Sequence, residues 1–223
     1  MEDAKWSAVD SYIVEKLVAS DFALEAALAT NAAAGLPPID VSPPQGKLLY
    51  LLARMARARK VLEIGALGGY STIWLARALP ADGFVVTLEA NAKHAEAARE
   101  NIRRAGLSGQ VRLRVGPALD TLPRIEEEGV GPFDLIFIDA DKPRNPEYFA
   151  WALRLARPGT VIVCDNVVRE GAILDRASAD PTVQGSRRMF DMIAKEPRVS
   201  ATVIQTVGGK GWDGFMMAIV DRA

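Results

Sequence analysis

Asp139, Asp165 and Asn166 each stand at the end of a short apolar run, FDLIFI before the first and TVIVC before the pair. Together they offer two carboxylates and one amide carbonyl, hard oxygen donors that suit Mg²⁺, Mn²⁺ or Ca²⁺ rather than zinc. An aspartate at a strand end is equally a turn or helix-cap residue. It is the Asp-Asn pair one strand over that turns Asp139 toward metal binding. Lys142 follows three residues after Asp139. It is either an ion-pair partner that steadies the loop or, beside a divalent cation, a lysine of lowered pKa able to act as a general base.

A second constellation occupies Lys60 to Leu79, KVLEIGALGGYSTIWLARAL. Val61, Leu62 and Ile64 suit a strand buried on both faces, and Gly65, Gly68 and Gly69 follow at once. Ile73, Leu75, Ala76 and Leu79 then recur at helical spacing until Pro80, and Ser71 or Thr72 is expected to satisfy free amides in the first turn. A strand that runs through glycines into a helix offers a ligand bare amides at the positive end of the helix dipole. The spacing G-A-L-G-G departs from G-x-G-x-x-G, with Leu67 where pyrophosphate would need a glycine, so a pyrophosphate is not the favoured ligand. Glu63, an acid inside the strand, requires a cationic or donor-rich partner or nearby backbone donors. Glu89 closes the next apolar run, placed to accept from both hydroxyls of a ribose. Gly116, Pro117 and Ala118 are small enough to pass a flat base.

These residues need a scaffold that brings strand ends together. Helical spacing predicts two helices between about Lys5 and Ala34, and a third from Gln45 to Ala58 beyond the irregular GLPPIDVSPP. Strands are predicted at Phe84–Leu88, Val111–Val115, Phe133–Ile138 and Thr160–Cys164, with helices at Asn91–Ala105, Pro117–Glu128 and Pro146–Ala156 between them. A helix at Pro181–Lys195 precedes strands at Ser200–Val207 and Phe215–Val220, which GGKGWDG joins as an antiparallel hairpin. Strands alternating with helices imply an α/β fold: a mostly parallel sheet covered on both faces, with ligands outside the carboxyl ends of its strands. One domain is expected over 1–223, with 1–58 a helical cap or oligomer contact and 59–223 the core.

Charge and composition narrow the function classes. Lys+Arg 27 against Asp+Glu 28 over 223 residues leaves a net charge of -1, so no broad basic field invites nucleic acid or an anionic membrane. Arg54, Arg57, Arg59 and Lys60 read as a solvated helix end. The one cysteine, Cys164, forms no internal disulfide and reads as a packed core thiol, consistent with a cytoplasmic protein. MEDAKWSAVD lacks the basic start and apolar core of a signal peptide. His94, the single histidine, reads as a surface residue. Trp212 reads either as a wall of an acceptor pocket or as a contact with a partner subunit.

V-L-E-I-G-A-L-G-G-Y-S-T, the T-L-E after the second strand, F-I-D-A-D-K and C-D-N, in that order, resemble the cation-dependent class I S-adenosylmethionine O-methyltransferases, the group of catechol and caffeoyl-CoA O-methyltransferases. The resemblance runs from about Val41 to Val220. It implies a Rossmann-like sheet of seven strands, mostly parallel with an antiparallel last strand, and extra N-terminal helices. It also implies S-adenosyl-L-methionine and a divalent cation as cofactors, a small aromatic hydroxyl acceptor and a homodimer. By the same resemblance Glu63 holds the methionine amino group, and Gly65, Tyr70 and Ser71 contact the methionine end. Glu89 is the ribose acid, Ala118 lies beside the adenine, and Val41 lines the site from the N-terminal segment. Asp139, also a cofactor contact, joins Asp165 and Asn166 as metal ligands, with Lys142 the catalytic base. Ala140 and Asp141 match the caffeoyl-CoA branch, but the basic features expected for holding coenzyme A are missing. An NAD-dependent oxidoreductase would use the same sheet and Glu89 but leave the metal trio without purpose. A noncatalytic nucleoside-binding protein would need no base.

Overall fold

The computed structural model describes residues 2–222. Three helices open the chain, α1 (Glu2–Leu17), α2 (Phe22–Ala33) and α3 (Pro43–Met55). The alternating part then runs β1 (Lys60–Ile64), α4 (Tyr70–Arg77), β2 (Phe84–Glu89), α5 (Ala92–Arg104), β3 (Val111–Val115), α6 (Ala118–Glu127), β4 (Leu135–Ile138), α7 (Asn145–Arg154) and β5 (Val161–Cys164). Last come α8 (Pro181–Ile193), β6 (Val199–Gly208) and β7 (Gly211–Val220). The strands form one seven-stranded sheet in the order β3-β2-β1-β4-β5-β7-β6. It is parallel from β3 through β5, and β7 runs antiparallel to both β5 and β6.

Period-2 alternation sorts the core into two layers. Val61, Leu135, Phe137 and Val163 face Leu49 of α3 and Ile73 and Leu75 of α4. Leu62, Ile64, Ile136 and Ile138 face Leu122 and Ile125 of α6, Phe149 of α7 and Met189 of α8. Because both faces are covered, β1 and β4 read as continuous apolar runs. Glu63 interrupts β1 on the α4 side, fully buried.

Two local expectations are corrected. Neither Ser71 nor Thr72 caps α4: Gly69 stands at its N-cap in the left-handed region (φ 82) with no side-chain cap bond. Both hydroxyls turn inward to Glu63 instead, because a buried carboxylate needs donors more than a solvated helix end does. The hairpin is also tighter than GGKGWDG suggests. Gly208 pairs with Gly211 and Val207 with Trp212, so only Gly209 and Lys210 turn, and Trp212 belongs to β7.

The N-terminal helices are tied to the glycine turn after β1. Asn101 of α5 donates through its side-chain amide to the Gly68 carbonyl (2.9 Å) and to Asn31 Oδ1 of α2 (3.0 Å). Asn31 in turn donates to Asp40 (2.8 Å). A Cβ at Gly68 would run into the Asn31 side chain, so the helix seats directly on the turn. From the opposite side, the hairpin tip clips onto α1 and the α2–α3 segment: the Gly209 amide donates to Asp10 (2.8 Å) and Lys210 to the Asp40 carbonyl. No helix among the described residues is long and apolar enough to cross a membrane.

Asn101→Ala leaves Asn31 and the Gly68 carbonyl without their donor, a loss expected to destabilise the fold by about 1–3 kcal/mol. Urea unfolding should show a lowered midpoint with an unchanged slope; an unaltered midpoint would mean that the tether carries no load.

Candidate active site

A cavity of about 480 Å³ opens at the carboxyl ends of the parallel strands, a size suited to a nucleoside-sized ligand. Of the residues singled out in the sequence, Val41, Gly65, Ser71, Glu89, Ala118, Asp139, Lys142 and Asn166 line it. Gly65 is required where it stands. Its φ is +101, and a Cβ there would run into the Asp139 carbonyl oxygen, so β1 and β4 close on each other only around a glycine.

Glu63 and Tyr70 do not reach this wall. Tyr70 is buried beneath the turn. Glu63 accepts from the Ser71 hydroxyl (2.6 Å), from Thr87 (2.6 Å) and from Thr72, and burial, only partly offset by these three donors, pushes its carboxyl up to about 7. Ser71, which does line the cavity, therefore stands between Glu63 and any ligand.

At the β2 end of the cavity, Glu89 is nearly buried and already held. One carboxylate oxygen accepts from the Leu67 amide (2.8 Å) and the other from the Asn91 amide (2.9 Å). Each oxygen keeps a lone pair for a ligand hydroxyl. Leu67 adopts φ 47 to aim that amide, a left-handed conformation uncommon outside glycine. His94 is corrected from a surface residue to a cavity residue. It sits in the first turn of α5, its side chain only 20% exposed and its Nδ1 3.5 Å from Glu89. Asp40, Asp141, Tyr148 and Arg169 also line the cavity, and Tyr148 donates its hydroxyl to Asp141.

At the other end, the β4–β5 ladder pairs Ile138 with Cys164, which sets Asp139 and Asp165 side by side. Lys142 lies 2.7 Å from Asp139 in a nearly buried ion pair. Burial works against the ammonium, yet the neighbouring charges, Asp139 foremost, outweigh it and hold the Lys142 pKa above its ordinary value. Burial, and then the charge of Asp139, push the Asp165 carboxyl well above the usual carboxylate range. Asn166 adopts φ 54, a strained position of the kind found at ligand clamps, and its amide donates to Asp165 (2.8 Å). Among the described residues no three His, Cys, Asp or Glu side chains gather at one metal-sized point. The candidate set has only two carboxylates, with an amide as third donor. Two adjoining carboxylates against one ammonium form a donor set short of positive charge, and a hard divalent cation fits it. Cys164, directly beneath, is inert: burial pushes its thiol up to about 12.

A family profile described as O-methyltransferase matches residues 14–218. A catechol O-methyltransferase of Niastella koreensis is 54% identical over 220 residues, 99% of this chain and 100% of the relative. Among solved structures, the O-methyltransferase from Bacillus cereus in complex with SAH superposes with a TM-score of 0.97 at 60% identity, covering 98% of this chain and 100% of that one. TomG from Streptomyces achromogenes, an O-methyltransferase involved in tomaymycin synthesis and solved with SAM, gives 0.96 at 52% identity, covering 99% of each chain.

The raised Glu63 pKa has a definite sign. Between its unfolded value near 4.5 and its folded value of about 7 the folded state binds the extra proton, so this group's contribution to stability falls as pH rises across that window. Denaturation from pH 5 to 8 is expected to show that decline as a difference between the wild type and Glu63→Gln. Parallel profiles would contradict the buried carboxyl's role.

Proposed function

The chain belongs to the O-methyltransferase family whose profile spans residues 14–218, and from that premise we propose that it methylates one hydroxyl of a small aromatic vicinal diol held on a divalent cation. That it is an S-adenosylmethionine-dependent O-methyltransferase follows from the catechol O-methyltransferase relative and the two neighbours solved with SAH and SAM. Neither a nicotinamide-dependent oxidoreductase nor a noncatalytic nucleoside binder is needed to explain the cavity. The cation and the diol rest on one observation: Asp139, Lys142 and Asn166 converge at the end of the cofactor cavity, with Asp165 directly beside them.

When bound, S-adenosylmethionine supplies an already activated sulfonium methyl, and Mg²⁺ or a similar cation on Asp139, Asp165 and Asn166 supplies charge that acidifies a chelated hydroxyl. The protein's own residues do the aiming. Glu89 keeps lone pairs for the ribose hydroxyls, and Ala118 leaves room beside the base. Ser71, whose hydrogen is committed to Glu63, turns its oxygen lone pairs toward the methionine ammonium, so Glu63 acts on the cofactor through Ser71. Val41 and Asp40 close the cavity from the N-terminal segment and exclude water. Lys142 takes or shares the proton of the attacking hydroxyl. Asp139 is foremost among the charges that now raise its pKa, with Cys164 and Asp165 behind it, and engaging the two carboxylates would leave the lowering effect of burial less opposed. The same reading makes 1–58 a cap on a single domain, keeps the protein in a reducing cytoplasm, and pairs two copies. The exposed Val203, Ile204 and Val207 on edge strand β6 support the pairing.

Methyl transfer to a panel of catechols is expected with Mg²⁺ and expected to vanish with EDTA; turnover that survives chelation would overturn the metal-centred reading. Asp165→Ala should lose more than about a hundredfold in turnover while S-adenosylmethionine binding stays within about threefold. Unchanged activity would remove it from the site. Glu89→Ala should weaken cofactor binding by about ten- to a hundredfold in calorimetry, and an unaltered dissociation constant would refute its role.

A further inference from the structure

The methionine end of the cofactor carries an ammonium, and the carboxylate that the β1 motif offers it is out of reach. Glu63 is fully buried, and its oxygens are taken by the hydroxyls of Ser71, Thr72 and Thr87. Ser71 presents a hydroxyl oxygen on the cavity wall. An ammonium brings three donors and a full charge, and one neutral oxygen leaves most of both unmet.

Four carboxylates line the cavity, those of Asp40, Glu89, Asp139 and Asp141, and three of them are provided for. Glu89 accepts from two backbone amides, Asp139 lies 2.7 Å from Lys142, and Asp141 lies 3.3 Å from Arg144. Asp40 differs. Asn31 donates to one of its carboxylate oxygens (2.8 Å), and among the described residues no cation forms an ion pair with it. Lys210 is spent on the main-chain carbonyl of the same residue. Burial, foremost, holds the Asp40 carboxyl above its ordinary value; the Asn31 bond and the charge of Lys210 draw it down, and the charge of Asp139 adds to the rise. A half-buried acid so placed is short of positive charge.

Its position is fixed from two sides. Asn31 is seated against Gly68, and Asn101 donates both to Asn31 and to the Gly68 carbonyl, so the Asp40 carboxylate is tethered to the glycine turn that leads into Ser71. Lys210 anchors the backbone of Asp40 from the hairpin. A carboxylate held in this way loses little freedom when a ligand arrives.

We propose that Asp40 is a cofactor-binding residue whose carboxylate receives the methionine ammonium opposite Ser71, so that the N-terminal segment supplies the counter-charge that buried Glu63 cannot present. The proposal rests on the S-adenosylmethionine reading of the cavity and is independent of the cation and of the acceptor. The line of amides through Asn31 and Asn101 then orients a binding group as well as seating the N-terminal helices.

The test is calorimetry of the full chain in EDTA with S-adenosylmethionine, S-adenosylhomocysteine and 5′-methylthioadenosine, a nucleoside thioether that lacks the amino-acid end. Asp40→Asn keeps an oxygen for the Asn31 amide and removes only the charge; Asp40→Ser serves as a second variant. Both are expected to weaken S-adenosylmethionine and S-adenosylhomocysteine by about tenfold or more, and 5′-methylthioadenosine by less than about threefold. A loss under about threefold for S-adenosylhomocysteine, or an equal loss for 5′-methylthioadenosine, would overturn the proposal. A loss confined to S-adenosylmethionine would also overturn it, because the carboxylate would then answer the sulfonium and not the ammonium. Failure of the underlying cofactor reading looks different: the wild type would bind none of the three, and the proposal would fall with it.

Discussion

Two carboxylates placed side by side at the ends of adjacent parallel strands, with one ammonium for company, set the electrostatic problem around which this molecule is built. The ladder between β4 and β5 fixes Asp139 beside Asp165, and apolar side chains beneath them keep water from solvating both charges. A pair of this kind, with Asp165 buried and Asp139 half-buried beside it, is most easily held if one partner is neutralised or a cation arrives. The raised pKa values of Asp165 and Lys142 are two expressions of the same strain. Around it the backbone has little freedom. Gly65 lets β1 approach the Asp139 carbonyl, and Gly185 lets α8 press against the Lys142 carbonyl. The backbone that carries Asp139 and Lys142 is thus fixed by close packing against β1 and α8.

The N-terminal helices serve the same end from above. Asn101, Asn31 and Asp40 form a line of amide hydrogen bonds from α5 through α2 to the segment carrying Val41, and Lys210 takes the Asp40 carbonyl from the hairpin side. One short stretch, Asp40–Val41, thus lines the cavity at the strand ends while being held by both the glycine-turn side and the β6–β7 hairpin. Two substrates that must meet in line gain from having their pockets referred to one rigid partition.

Much of this was legible in the sequence because buried parallel strands announce themselves. LIFI and VIVC are apolar on both faces, so the polar residue that ends each run had to stand at the carboxyl edge, and Asp139, Asp165 and Asn166 do so. The glycine turn was legible for a similar reason, since few other patterns carry a strand so abruptly into a helix. What stayed hidden depends on contacts between distant segments. Ser71 and Thr72 read as caps until α4 is laid on β1 and Glu63 claims their hydroxyls. His94 reads as a surface residue until the first turn of α5 is brought beside Glu89. Trp212 sits in a glycine-rich string that reads as a loop, and only the pairing of Gly208 with Gly211 reveals it as a strand residue with one face toward the site.

On the proposed reading the strand ends work in stages: Glu89 for a nucleoside, Ser71 for a methionine end, and, at Asp139, Asp165 and Asn166, a junction short of positive charge where a hydroxyl would be made reactive. The junction is the central claim, and titration of Mn²⁺ into the metal-free protein, followed by calorimetry, tests it most directly. One site per chain in the wild type, absent in Asp139→Ala/Asp165→Ala, is the predicted result. Equal binding by the two proteins, or none by either, would contradict it.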